Sequence, residues 1–147
     1  MLNMKERKSR VLGAAVLAGA AVLAAWSMTG QAQEGPRVFF VSPADGATVS
    51  SPVQFEFGSE GFSLLPVPEE VETPRWGVGH YHIGISTECL PAGEIIPQSS
   101  PWVHFGDGSS VFESLMPAGE HTFAVQLGDD EHRTIEGLCS TVTVTVE

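Results

Sequence analysis

Apolar and polar residues alternate along much of this chain. Val53-Gln54-Phe55-Glu56-Phe57 changes character at every step, and so does Thr141-Val142-Thr143-Val144-Thr145-Val146. A period of two places successive side chains on opposite faces, so each run predicts a strand with one face in a core. Arg37 to Val41 predicts a third strand, ended by Ser42-Pro43 and the turn residues Ala44-Asp45-Gly46. The same reasoning places strands at His80–Ser86, Ser110–Leu115 and His121–Leu127, with a short one near Ile95. No stretch after Trp26 holds a helical period. About seven short strands, separated by turns rich in Gly, Pro, Asp and Ser, predict an all-β fold. The expected form is an antiparallel immunoglobulin-like β-sandwich.

The N-terminus breaks this pattern. Lys5, Arg7, Lys8 and Arg10 precede an apolar run from Val11 to Trp26, and Gly30-Gln31-Ala32 supplies small residues where a signal peptidase reads. The expected organisation is a signal peptide over 1–32, carrying the only helix, and a single sandwich domain over 33–147. The apolar run is about 15 residues, short of the about 20 that span a bilayer. An uncleaved anchor is the alternative. No Cys follows the run, which argues against a lipoprotein. These features predict a periplasmic or secreted protein with no membrane attachment after cleavage.

Export changes the charge. Residues 33–147 keep Arg37, Arg75 and Arg133 against 17 acids, a net charge of −14, and contain no lysine. Such a surface disfavours nucleic acid and anionic lipid and favours cations. Solubility alone would also account for it. Cys89 and Cys139 are the only cysteines. In an exported chain the expectation is one disulfide, closing a loop of about 50 residues and worth on the order of 4 kcal/mol. A blue-copper arrangement is disfavoured, because no His or Met follows Cys139.

The candidate chemistry lies in the histidines. His80, His82, His104, His121 and His132 all fall in one stretch of about 50 residues, and imidazole is the commonest protein ligand for transition metals. His80 and His82 are two apart in a predicted strand and share a face. If Tyr81, Ile83 and Ile85 point to the core, both imidazoles point outward. His104 sits beside Gly106-Asp107-Gly108, and His132 follows Gly128-Asp129-Asp130-Glu131; both read as loop residues. His121 shares parity with Phe123, Val125 and Leu127, which suggests a corner residue hydrogen-bonded to the backbone, although it too is a candidate ligand. The bland alternative makes all five solvated or structural.

Other chemistries fail on composition. There is no Gly-x-Ser-x-Gly elbow and no P-loop, and the aspartates near Gly108 and Gly128 lack EF-hand spacing. Met116 is the only methionine after the signal segment, so a Met-rich Cu(I) site is absent. The predicted first mature residue, Gln33, excludes an N-terminal histidine brace. No catalytic residue is assigned, and no activity is predicted.

Phe39–Gly46, Gly79–His82, His104-Phe105-Gly106-Asp107-Gly108, Pro117-Ala118-Gly119-Glu120-His121-Thr122 and Gly128–His132 occur in an order that resembles one family, the exported bacterial domains of unknown function called DUF4399. Members usually read Gly-His-His-His where this chain has Gly79-His80-Tyr81-His82. Many carry a His-rich, Pro-rich stretch near Arg133–Leu138 that is lacking here. The resemblance implies the architecture and the grouping of the histidines, but no activity. A looser likeness to copper–zinc superoxide dismutases fails on ligand number, since that double site needs six histidines and an aspartate. Only a copper-only variant with four histidines fits. The leading expectation is a metal-binding module for Cu(II) or Zn(II), using His80 and His82 with His104 and His132 or His121. Its rival is a metal-free structural or adhesion module.

Overall fold

A computed structural model describes residues 35–147. The predicted signal segment, its helix and its cleavage site lie outside the described residues. The remainder is all-β, with strands β1 (Arg37–Ser42), β2 (Thr48–Val49), β3 (Val53–Glu60), β4 (Ser63–Leu64), β5 (Val78–Ile85), β6 (Trp102–His104), β7 (Val111–Ser114), β8 (Gly119–Gly128) and β9 (Thr134–Val146). No helix among these residues is long and apolar enough to cross a membrane.

The strands form two sheets. One has the order β1-β3-β7. The other has the order β2-β9-β8-β5-β4, and β6 also pairs with β5. One apolar core draws on both sheets: Val38, Val53, Phe55 and Phe57 from the first, and Tyr81, Ile83, Phe123, Val125, Leu127, Val142 and Val144 from the second. The alternation read in Val53–Phe57 is what is observed, with Val53, Phe55 and Phe57 buried and Gln54 and Glu56 exposed. Phe55 lies 4.6 Å from Phe123, centroid to centroid, an aromatic contact that joins the sheets.

The expectation of a wholly antiparallel sandwich needs correction. β2 pairs with β9, and β4 with β5, in parallel. Each of these added strands has only two residues, too few to display a period. β6 is a third short strand, so His104 lies at the end of a strand rather than in the loop its glycine neighbours suggest. The short strand near Ile95 is a single bridge from Ile95 to Arg133.

A second correction bears on the site. Along β5, and along Phe123–Gly128 of β8, both faces are buried. Tyr81 and Ile83 enter the main core as expected. The opposite face of β5, carrying His80, His82 and Gly84, is also covered: His80 is 1% exposed and His82 0%. The segment between β5 and β6 supplies part of that cover. Ile96 and Leu90 pack with Trp102, Ala124 and Cys139 in a small second cluster. The Cys89–Cys139 disulfide ties this segment to β9, as the cysteine pattern predicted.

Candidate metal centre

The pairing register brings the imidazoles together. His82 on β5 lies opposite His104 on β6, so the two side chains share a face. His80 is one same-face step from His82 and lies opposite Gly128 on β8. His132 arrives from the turn between β8 and β9. Its backbone is in the left-handed region, at φ 64°, an uncommon conformation for a residue with a Cβ. The turn holds it there: His132 N–H donates to Asp129 O at 2.8 Å, and Ile96 N–H donates to His132 O at 2.8 Å.

His80, His82, His104 and His132 each offer one ring nitrogen within 4.8 Å of the others. Ring centroids are 4.6 Å apart for His80–His82, 4.9 Å for both His80–His104 and His80–His132, and 4.7 Å for His104–His132. Four imidazole nitrogens at about 2.0–2.1 Å from an ion would lie roughly 3.3–3.4 Å apart in a tetrahedron, and about 2.8–3.0 Å (neighbours) or 4.0–4.2 Å (opposite) in a square. The observed spread is close to that scale.

Two glycines make room. A Cβ on Gly128 would stand 2.9 Å from His82 Cε1 and 3.3 Å from the His132 Cα. A Cβ on Gly106 would run into the His104 ring, 2.9 Å from its Nε2. Neither glycine has a positive φ, so space is the reason for glycine at both positions.

The hydrogen bonding is uneven. His104 Nε2 and His132 Nε2 lie 3.1 Å apart, and one ring donates to the other. Among the described residues, neither ring nitrogen of His80 or of His82 has a hydrogen-bond partner. A buried polar atom left without a partner costs about 1–3 kcal/mol. Two such rings stand side by side and face His104 and His132. Burial, followed by the neighbouring imidazoles His104 and His132, pushes the His80 pKa down to about 4, against a smaller opposing pull from Asp130. Burial, followed by His80, His104 and His132, pushes His82 down to about 2. Burial and His132 also lower His104, opposed by Asp107. His80 and His82 are therefore neutral at physiological pH, the form that ligates metal.

These shifts fix a sign for stability. In the unfolded chain both groups take up protons below about pH 6.5, whereas in the folded metal-free protein they stay neutral to about 4 and about 2. The unfolded state then binds more protons, so stability is lost as pH is lowered. Each group contributes about 1.4 kcal/mol per pH unit below its unfolded pKa. Metal-free protein should lose on the order of 2–3 kcal/mol between pH 7.5 and 5.5, read as a drop in the urea midpoint. A midpoint unchanged over that range would show that the rings already carry protons in the folded state.

His121 is not part of the cluster. Its Nε2 lies 2.9 Å from Pro117 O, so it serves the backbone corner that its parity suggested. His121→Ala should cost about 1 kcal/mol of stability and leave metal affinity unchanged in a calorimetric titration. Of the five candidate ligands, the fold gathers four.

One residue escaped the sequence reading. Asp130 is 2% exposed and binds Arg75 through both carboxylate oxygens, at 2.9 Å to Nε and 2.7 Å to a terminal nitrogen. Arg75 N–H adds a third bond at 2.9 Å, and the guanidinium also donates to Pro66 O. The Arg75 hydrogen bond holds the Asp130 carboxylate below its usual range. The connection from β4 to β5, which carries Glu69, Glu70 and Glu72, is thus tied through Arg75 to Asp130, two residues before His132. In sequence, Asp129-Asp130-Glu131 looks like a solvated run, and only the fold separates Asp130 from its neighbours.

Residues 55–147 match the family described as a domain of unknown function, DUF4399. No curated protein and no solved structure matches the chain.

Proposed function

This chain belongs to the DUF4399 family, and we propose that it binds one divalent transition-metal ion, Cu(II) or Zn(II), through His80, His82, His104 and His132. The observation that carries this reading is the pair of buried imidazoles without hydrogen-bond partners, facing two more imidazoles. A metal would supply the missing partner to each ring. Four neutral nitrogen donors suit Zn(II) and Cu(II) better than Ca(II) or Mg(II), which take oxygen ligands. With no carboxylate or thiolate among the four, the bound ion keeps its charge. Asp130, paired with Arg75, is the one carboxylate that acts on His80.

The same proposal takes the two sheets as an immunoglobulin-like frame, residues 1–32 as a signal peptide and the periplasm or the exterior as the location. The disulfide supports the last of these, since such bonds persist in oxidising compartments. Residues 33–147 are then the working domain.

The test is calorimetric titration of untagged, metal-free protein at pH 7.5 with Zn(II) and, separately, Cu(II). One equivalent should bind with micromolar affinity or better. Absence of saturable binding for both ions would leave the metal-free structural module as the better reading.

A further inference from the structure

Cys139, Gln126, His82 and His104 lie in one row across β9, β8, β5 and β6, each opposite the next. The disulfide is therefore two strands from His82, and a continuous set of contacts joins them. Gln126 Nε2 donates to Leu90 O at 2.9 Å, and its Oε1 accepts from Leu90 N–H at 3.0 Å. Leu90 follows Cys89, so the amide and the disulfide clamp the same point of the connection.

The far end of that connection holds a candidate ligand. Ile96 N–H donates to His132 O, Thr134 N–H donates to Glu94 O at 2.8 Å, and Gly93 N–H donates to Thr134 O at 3.0 Å. Glu94 N–H also donates to Thr134 Oγ1, whose hydroxyl in turn donates to Pro91 O. These bonds flank the one non-glycine residue in the cluster with a left-handed backbone, His132. Cys89 is on the exposed side of the disulfide and Cys139 is half-buried, so a reductant reaches the former.

We infer that the Cys89–Cys139 disulfide is a redox latch on the imidazole site. Oxidised, it fixes the 89–96 segment, which holds His132 in place to ligate; reduced, it releases that segment and the metal is held less tightly. The inference rests on the metal reading of the site. The reductant is a dithiol of the exported compartment. Its thiolate attacks the Cys89 sulfur and the S–S bond breaks, with Cys139 leaving as a thiolate that takes up a proton. The second donor thiol then displaces Cys89 from the mixed disulfide. Two electrons and two protons pass to the protein, and the donor becomes a disulfide.

The experiment measures affinity for Zn(II) alone in three forms: oxidised protein, protein reduced with a phosphine, and Cys89→Ser/Cys139→Ser. Circular dichroism at low temperature confirms that each keeps its strand signal. The reduced and double-serine forms should bind zinc at least about 10-fold more weakly, the scale on which changes around metal ligands act. Reoxidation of the reduced form should restore affinity. In a His132→Ala background the redox state should change affinity by less than about 2-fold, because the latch acts through that ligand. If the disulfide were merely structural, its loss would lower affinity by the same factor in both backgrounds.

Equal zinc affinity in the oxidised and reduced wild type overturns the latch and leaves the metal site standing. No zinc binding by oxidised protein instead removes the metal reading, and the latch with it. If the reduced and double-serine forms lose their strand signal, the test passes to oxidised Thr134→Val. That near-isosteric change frees Glu94 N–H and Pro91 O from their hydroxyl partner. A several-fold loss of affinity there supports the latch, and an unchanged affinity overturns it.

Discussion

His82→Ala should bind Zn(II) or Cu(II) more than about 100-fold more weakly than wild type, beyond the 10–100-fold that even indirect neighbours of a metal contribute. The residue is 0% exposed and lies opposite His104 in the strand register, one same-face step from His80. Its loss leaves three donors around a gap on the buried side, where no other described side chain replaces it in the cluster. The same substitution removes two unpartnered buried nitrogens from the metal-free protein. Metal-free His82→Ala should therefore lose less stability than a buried ring of that size would otherwise carry, the cavity cost being offset by relief of about 1–3 kcal/mol per orphaned group. Titration calorimetry and urea unfolding of the same preparation separate the two effects. Equal affinities in mutant and wild type would remove His82 from the site.

Gly128→Ala should have the second-largest effect, although it removes no donor atom. The added methyl would stand 2.9 Å from His82 Cε1 and 3.2 Å from its Nδ1, with the His132 backbone at 3.3 Å on another side. Gly128 itself is buried, so the strand cannot swing outward cheaply. The His82 ring must rotate or the 129–133 turn must shift, and either displaces a ligand. Overpacking of this kind costs about 1–3 kcal/mol. Metal affinity should fall at least about 10-fold while the strand signal remains. An affinity equal to wild type would show that His82 moves freely and that the cluster is not preorganised.

Much of the fold was legible because long strands display their period. Val53–Phe57 and Thr141–Val146 could be read directly, and parity correctly put His80 and His82 on the face opposite Tyr81 and Ile83. What parity cannot say is whether the second face is covered. That cover comes from a connection held by the disulfide, by Gln126 on Leu90 and by Ile96 on His132, all contacts between residues far apart in sequence. Strands of two or three residues carry no period, which hid β2, β4 and β6 and left His104 as a loop residue. The grouping of the histidines was visible as a cluster in sequence, but the choice of four from five was not. His121 is set apart by a local bond to Pro117 O, while His132 joins through a backbone conformation no pattern predicts. Asp130 became distinct only through its pairing with Arg75, 55 residues away.

The central claim is that four imidazoles hold one ion, and X-ray absorption at the zinc edge of protein loaded with one equivalent of Zn(II) tests it most directly. The account predicts a single shell of four nitrogens at about 2.0–2.1 Å, with the outer-shell scattering of imidazole rings from all four. A shell dominated by oxygen, or one showing two imidazoles or fewer, would contradict it.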